Sequence, residues 1–292
     1  MFQRLLICTD LSDGLHRLTQ FVPSLAAGGV QQITFLHTLP VSNEREIPRM
    51  DEAKTAEVRD RLSTAQHQIP PGVEVNIEVL WGKPIDLIIQ TAQAQQSDLI
   101  LLGTPTRSLL TEKILGSTSM GLCQRISIPV MMLRPQLLAA YTCEELDLRC
   151  RHLFRCLLVP YDGSKPADYL ISQIQRKAEG RAADSLQECK LYWVYQASGR
   201  RDVPKSEFPQ ESQAKLEAAR ATLAALNLQV TAEVLEGTPV PEILEAAQEE
   251  DISAIATSSD SMGKLMEISI PSFTGEILRR SWHPVIYFPP AK

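Results

Sequence analysis

The feature that most constrains this sequence is that it repeats itself once over nearly its whole length. "RLLICTDLSD" at 4–13 resembles "CLLVPYDGSK" at 156–165, and "LWGKPIDLIIQTAQ" at 80–93 resembles "LEGTPVPEILEAAQ" at 235–248. "SDLILLGT" at 97–104 resembles "EDISAIAT" at 250–257, and "SIPVMML" at 127–133 resembles "WHPVIYF" at 282–288. The four pairs keep the same order, with offsets of 152, 155, 153 and 155 residues, so we interpret the sequence as a duplication.

The repeat predicts two domains, because 292 residues are about twice the length of one small domain. The first domain is predicted to span residues 1–135 and the second residues 153–292. The segment between them, 136–152, includes "QLLAAYTCEELDLRC", which matches neither repeat, and is predicted to be a linker.

Strands and helices are predicted to alternate within each half. In the first half, "RLLICT", "QQITFLHT", "VEVNIEVL", "SDLILLG" and "IPVMMLR" are typical of strands, and the polar alternation of the third places it at an edge. Helices are predicted over 13–27 and about 51–68, and others begin near Pro84 and Ser117. Strands joined by helices pair in parallel. The predicted fold is therefore α/β, with two tandem doubly wound five-stranded parallel sheets of Rossmann-like type.

Two glycines mark a candidate anion site at the end of the fourth strand. Gly103 follows an apolar strand, where glycine permits a positive φ and a close approach of backbone to ligand. Gly116 precedes Ser117 and Thr118, and these residues open a helix whose free N–H groups favour a phosphate. Ligands of parallel sheets bind beyond the carboxyl ends of the strands, so Asp10 at the end of the first strand faces the same region.

These residues carry a resemblance to the universal stress protein family. "LICTDLSD", "LWGKP", "SDLILLGTPTRS", "ILGSTS" and "IPVMML" are similar to its conserved segments, and a G-x2-G-x9-G-S/T pattern after the fourth strand is its ATP-binding signature. The chain resembles a tandem member. The resemblance implies ATP or AMP, with or without Mg, bound in the first domain by Asp10, Gly103, Gly116 and Ser117. Thr9, Thr38 and Thr118 are predicted to be backbone or wall contacts.

One position departs from the family pattern: Thr106 occupies the place of the second glycine. If the backbone needs a positive φ there, a β-branched residue costs about 1–3 kcal/mol. Pro105 stiffens the same loop and removes an N–H donor. Pro105 and Thr106 are therefore included in the predicted nucleotide site, with a reduced affinity expected.

The second domain departs further from the nucleotide-binding pattern. In the sequence alignment, Ala256 replaces Gly103, and Ser259 replaces Thr106. Pro271 takes the position of Gly116. We predict that this domain is degenerate and structural. A candidate polar site remains there, formed by Asp162, Ser258, Ser259 and Ser272.

Composition narrows the functional classes. The net charge is −6 and no Lys or Arg run is present, which argues against nucleic acid as a partner. No apolar stretch reaches the ~18 residues of a membrane span, and no signal peptide is evident, so a cytoplasmic protein is expected. The cysteines form no C-x-x-C pair, and we expect reduced, buried thiols. No histidine pair has metal-ligand spacing, so no metal site of the protein is predicted.

Three functions remain under consideration. The first is a stress-response regulator that binds an adenine nucleotide and is read by an unknown protein partner; hydrolysis would be slow at most, because no general base is evident. The second is a scaffold or chaperone-like interaction protein without nucleotide. The third, an ATP-pyrophosphatase-like enzyme, lacks the expected serine-rich loop after the first strand, and no Walker motif is present.

The family resemblance also implies dimerisation through the last strands. In a tandem chain, "IPVMML" and "PVIYFP" are then predicted to pair within one molecule, which would protect two apolar edges. The chain would be an intramolecular pseudo-dimer, and a further homodimer through another face is left open.

Overall fold

A computed structural model of the protein describes residues 1–41, 51–104, 117–139, 142–196, 208–260 and 272–290. The chain divides into two compact units, which we call the N-terminal domain (Phe2–Leu153) and the C-terminal domain (Phe154–Lys292). Each domain contains a parallel sheet with helices, as the sequence predicted.

The five strands of the N-terminal domain are β1 Arg4–Cys8, β2 Gln32–Leu39, β3 Glu74–Trp81, β4 Leu99–Gly103 and β5 Val130–Leu133. They lie in the order β3-β2-β1-β4-β5, and every pair is parallel. After β1 the chain builds the sheet outwards on one side and then returns to add β4 on the other. The strand order therefore reverses between β1 and β4, where ligands of such sheets bind.

The C-terminal domain repeats this arrangement. Its strands are β6 Cys156–Pro160, β7 Glu188–Tyr195, β8 Gln229–Glu236, β9 Ala254–Ser258 and β10 Val285–Phe288. They lie in the order β8-β7-β6-β9-β10, all in parallel. The same order of five strands in both domains agrees with the duplication seen in the sequence.

The helices follow the predicted positions with two differences. In the N-terminal domain they are α1 Val22–Ala27, α2 Glu52–Leu62, α3 Pro84–Ala94, α4 Ser117–Arg125, α5 Pro135–Leu138 and α6 Cys143–Arg151. In the C-terminal domain they are α7 Lys165–Ala178, α8 Gln210–Ala224, α9 Pro239–Glu249 and α10 Phe273–Arg280. The predicted helix 13–27 is divided into a 3-10 segment, Leu15–Phe21, and α1, because Pro23 lacks the N–H that a continuous helix would use. The predicted helix 51–68 likewise ends as a 3-10 turn, Ser63–Gln66.

Two further segments of the N-terminal domain can be compared with their sequence predictions: the strand β3 and the stretch 136–152. The strand β3 lies at the edge and is half-exposed, as its alternating pattern predicted. The stretch 136–152, predicted to be a linker, contains most of α5 and all of α6. Here Ser24 of α1 donates a hydrogen bond to Asp147 of α6, and a Cβ on Gly28 would lie 2.6 Å from the carbonyl oxygen of Arg151.

Apolar strands fill the core of both domains. Residues 5–7 of β1 and 157–159 of β6 are almost fully buried. All six cysteines are free thiols, five of them buried, while Cys143 on α6 is exposed. Burial raises the pKa of the Cys123 thiol to about 12, so this thiol is unreactive at neutral pH. Across the residues that the structure describes, no helix has the length and apolar character needed to cross a bilayer.

Candidate functional site

The candidate site of the N-terminal domain lies where β1 and β4 end side by side. Cys8 of β1 is paired with Leu102 of β4, so Thr9 and Asp10 leave the sheet next to Gly103. The structure therefore brings Asp10 and Gly103 to one edge of the sheet, as the sequence predicted.

A tight turn after β1 fixes the position of Asp10. The Oδ1 atom of Asp10 accepts hydrogen bonds from the backbone N–H of Ser12 (2.8 Å), the Ser12 hydroxyl (2.8 Å) and the backbone N–H of Asp13 (2.9 Å). Leu11 within this turn has a φ of 66°, and Asp10 itself is exposed. Because one carboxylate oxygen holds the turn, the exposed side chain is held in place beside the end of β4.

Asp13 is a second acidic residue at this site, which the sequence analysis did not identify. Its side chain is 7% exposed. Its Oδ1 atom accepts hydrogen bonds from the Thr9 hydroxyl (2.7 Å) and the Leu15 N–H (2.9 Å). Burial raises the pKa of the Asp13 carboxyl, and these hydrogen bonds oppose that increase. No local signal in the sequence marked Asp13, because its burial depends on the contact with Gly103.

Gly103 lies directly against Asp13, and this contact corrects the conformational reason given for the glycine. Gly103 is the last residue of β4, paired with Leu133, and its φ is not in the left-handed region. A Cβ at Gly103 would lie 2.5 Å from the Asp13 Cβ and 2.9 Å from the Asp13 Cγ. The glycine is required here for close approach, and the group that approaches is the Asp13 side chain.

The other predicted contacts follow β1, lie on β2 or lie in the first turn of α4. Thr9 is buried, and its carbonyl oxygen is 2.8 Å from His37 Nδ1 on β2. Thr38, the next residue of β2, is half-buried. The helix α4 begins at Ser117, as predicted, and Thr118 is half-buried in its first turn. Pro105, Thr106 and Gly116 lie outside the described residues.

The strand pairing changes which residues of the two fourth strands, β4 and β9, are equivalent. Ile100 pairs with Val130, and Ile255 pairs with Val285. The Ile100 N–H also donates to the Pro129 carbonyl, as the Ile255 N–H does to that of Pro284. The offset along the fourth strand is therefore 155 residues.

The sequence alignment of this strand was consequently wrong by two residues. The equivalent of Gly103 is Ser258, not Ala256, and Ser259 is the equivalent of Thr104, not of Thr106. The offset of 155 also makes Ser272 the equivalent of Ser117. Consistent with this, α10 begins just after Ser272, whose hydroxyl accepts a hydrogen bond from the Gly275 N–H at 3.1 Å.

The C-terminal domain contains a cavity of about 350 Å³ at the same edge of its sheet. It lies at the ends of β6 and β9 and against the first turns of α7, α9 and α10. All four residues of the predicted polar site line it: Asp162, Ser258, Ser259 and Ser272. The lining also includes apolar and aromatic side chains, among them Tyr161, Leu170, Tyr192, Val194, Ile243 and Phe273.

Most hydroxyl groups around this cavity are engaged within the protein. Ser258 donates to the Phe288 carbonyl (2.8 Å), and Ser259 Oγ lies 3.0 Å from the Tyr287 hydroxyl. Tyr161 and Tyr192 donate their hydroxyls to Asp168 (2.7 Å) and Glu250 (3.1 Å). Burial and the adjoining carboxylates raise the pKa of both phenols. The predicted polar residues are thus brought together, but serines 258 and 259 support the fold of the cavity wall.

The described residues contain no cluster of three His, Cys, Asp or Glu side chains arranged to hold a metal ion. Asp10 and Asp13 are two acidic residues near one strand end, which is fewer than a protein-only Mg²⁺ site uses. A magnesium ion at this edge would therefore need oxygen atoms from a ligand.

The fold defines a class: α/β proteins made of two tandem parallel-sheet domains, each with a reversal of strand order at its centre. The universal stress protein family model matches residues 1–134 and 154–289. The chain belongs to the universal stress protein family, and the resemblance noted in the sequence is confirmed.

Solved structures share this fold. A universal stress protein from Archaeoglobus fulgidus DSM 4304 is 22% identical, with a TM-score of 0.67 and 97% of each chain covered. A functionally unknown protein from Pseudomonas aeruginosa PAO1 is 15% identical, with a TM-score of 0.58, covering 99% of this chain and 93% of its own. A search of curated protein sequences finds no significant match. At these identities the likeness establishes the fold alone.

Proposed function

We propose that this protein is a stress-response regulator that binds an adenine nucleotide, ATP or AMP, in its N-terminal domain. The observation that carries the proposal is that Asp10 lies beside Gly103 at the β1–β4 reversal, and α4 begins at Ser117 after β4 in the chain. This is the region where parallel α/β sheets bind nucleotides, with phosphate at a helix N-terminus.

The described residues support distinct roles for the two ends of the ligand. Asp10 keeps Oδ2 outside the hydrogen bonds of its turn in the described part of the chain, so this oxygen is available to a base amine or ribose hydroxyl. The first turn of α4, with Ser117 and Thr118, would hold phosphate through N–H groups and hydroxyls. Pro105, Thr106 and Gly116 complete the proposed set by the family resemblance.

The buried Asp13 carboxylate limits where phosphate could lie. It occupies the space beside Gly103, and an anion at that point would meet a like charge in a partly buried setting. The proposed phosphate position is therefore at α4 rather than on Gly103 itself. A bound Mg²⁺ would reduce the remaining repulsion, so ATP with Mg is the favoured form.

The contact between Asp13 and Gly103 also favours a second candidate function, a scaffold or interaction protein that binds no nucleotide. In that case Asp13 and Gly103 would be a closed packing contact, and Asp10 would only hold its turn. Under either function the C-terminal domain lacks a glycine equivalent to Gly103, and we propose that it binds no nucleotide.

A calorimetric titration of the intact protein with ATP, and separately with AMP, distinguishes the two functions. A regulator gives one saturable site per chain, and Gly116→Val abolishes that heat while leaving the thermal unfolding of the ligand-free protein unchanged. Absence of heat at ~1 mM ATP, which corresponds to about −4 kcal/mol, would favour the scaffold. Retained binding in Gly116→Val would place the nucleotide elsewhere.

A further inference from the structure

The cavity of the C-terminal domain is large enough for a small organic ligand and has a different chemistry from a nucleotide site. Its volume of about 350 Å³ lies within the usual range of ligand cavities. We propose that it binds a small aromatic amine that carries no phosphate. This proposal goes beyond the nucleotide function of the N-terminal domain and does not depend on it.

The helix starts around the cavity are poor in phosphate-binding donors. Proline stands at position 166 in the first turn of α7 and at positions 239 and 241 in that of α9, and proline has no N–H. Ser164 accepts the Ala167 N–H at 3.4 Å, and Ser272 accepts the Gly275 N–H, so capping already satisfies two further donors. Several of the N–H groups that make a helix start attractive to an anion are therefore absent or engaged.

The charged residues of the lining also disfavour an anion. Asp162 and Asp260 line the cavity, and no Lys or Arg does so among the described residues. Lys165, at the start of α7, is exposed and is not part of the lining. A ligand with an ammonium group would be attracted by the Asp162 carboxylate, whereas a phosphate would be repelled by it.

Aromatic and aliphatic surfaces make up the rest of the wall. The hydroxyls of Tyr161 and Tyr192 are bonded to carboxylates, so these residues contribute ring surface to the cavity. Leu170 and Ile243 add aliphatic surface, and both are buried. A flat aromatic ring is the group that such walls accommodate, and tyrosine rings also attract cations.

The cavity retains two hydroxyl donors for orienting a ligand. Ser164 and Ser272 act as acceptors in their caps, so each O–H can still donate one hydrogen bond. Asp162 uses Oδ1 to accept the Ser164 N–H at 3.0 Å, and its second oxygen can accept a hydrogen bond from an amine. The polar groups are thus arranged to bind a donor amine and one acceptor atom.

Three indoles that differ only in side-chain charge test the proposal: tryptamine, tryptophol and indole-3-acetate. We expect NMR titration of the intact protein to give a Kd for tryptamine of about 1 mM or tighter, as is typical for a ligand of this size. Indole-3-acetate should bind at least about tenfold more weakly because of the negative charge of Asp162. Equal or tighter binding of indole-3-acetate, or no binding of tryptamine at ~10 mM, would overturn the proposal.

Two variants place the binding in this cavity. Ala167→Leu extends a buried side chain of the lining into the cavity and should abolish tryptamine binding, whereas Ala218→Leu on the exposed face of α8 should not. Asp162→Asn keeps the oxygen that caps the turn and should remove the preference for tryptamine over tryptophol. Unchanged tryptamine binding in folded Ala167→Leu would contradict the proposal, and so would an unchanged preference for tryptamine over tryptophol in Asp162→Asn. If Ala167→Leu does not fold, Asp162→Asn alone tests the proposal.

Discussion

The two domains keep the same strand order but use the space beyond their central strands differently. In the N-terminal domain, the buried Asp13 carboxylate packs against Gly103 at the end of β4. The equivalent positions in the C-terminal domain are Lys165, which is exposed, and Ser258, and a cavity lies at this edge. The comparison indicates that the duplication preserved the strand order, while the residues at the strand ends differ between the two domains.

The largest effect on stability is expected when Gly103 is replaced by serine, the residue that the C-terminal domain has at the equivalent position 258. Gly103→Ser places a Cβ about 2.5 Å from that of Asp13, so one of the two must move. Overpacking of this kind destabilises by about 1–3 kcal/mol, measured as the free energy of unfolding in urea.

The reciprocal change, Ser258→Gly, provides the matched control. It removes the hydrogen bond to the Phe288 carbonyl but creates no clash, so a loss of about 1 kcal/mol is expected. If Gly103→Ser is as stable as the wild type, the close contact between Gly103 and Asp13 is not a constraint, and this part of the comparison fails.

A smaller effect is expected from the serines that begin the last helix of each domain. Ser272→Ala removes an N-cap and should lower the unfolding free energy by about 1 kcal/mol without altering ATP affinity. Ser117→Ala should weaken ATP binding, because Ser117 is proposed to contact phosphate. Calorimetry measures the ATP affinity of both variants, and urea unfolding measures their stability. Equal effects of the two substitutions on ATP affinity would argue against a nucleotide site that is confined to the N-terminal domain.

The smallest effect concerns the pH dependence of Asp13. Burial raises its folded-state pKa above the usual 3.8, so the folded protein binds the proton more tightly than the unfolded chain. Wild-type stability relative to Asp13→Asn should therefore increase as the pH falls from 7 through the raised pKa towards about 4. Urea unfolding across this pH range measures the difference, and a change in the opposite direction would mean that the carboxylate is stabilised in its charged form.

Most of the fold was predictable from the sequence because its signals are long and repeated. Continuous apolar strands such as 4–8 and 99–103, separated by helical segments, specify a parallel sheet, and the second copy repeats the pattern. The position of Asp10 after the first strand and the start of α4 at Ser117 were also predicted correctly. The pairing of the last strands of the two domains stays a prediction.

The site was less predictable, for reasons that particular residues make clear. Residues two apart in a strand lie on the same face, so apolar alternation alone cannot detect a shift of two, and Ala256 was matched to Gly103 in place of Ser258. Asp13 was missed because its burial depends on a contact with Gly103, ninety positions further along the chain. Local sequence carries no record of such a contact.

The proposal that only the N-terminal domain binds a nucleotide is tested most directly by substituting the two aspartates that follow the first strands of the domains. Asp10→Ala and Asp162→Ala each remove an oxygen that holds an equivalent turn, so any disturbance of the turn is matched. In calorimetric titrations with ATP, we expect at least about tenfold weaker binding for Asp10→Ala and wild-type affinity for Asp162→Ala. Weaker binding in Asp162→Ala, with Asp10→Ala unchanged, would contradict it.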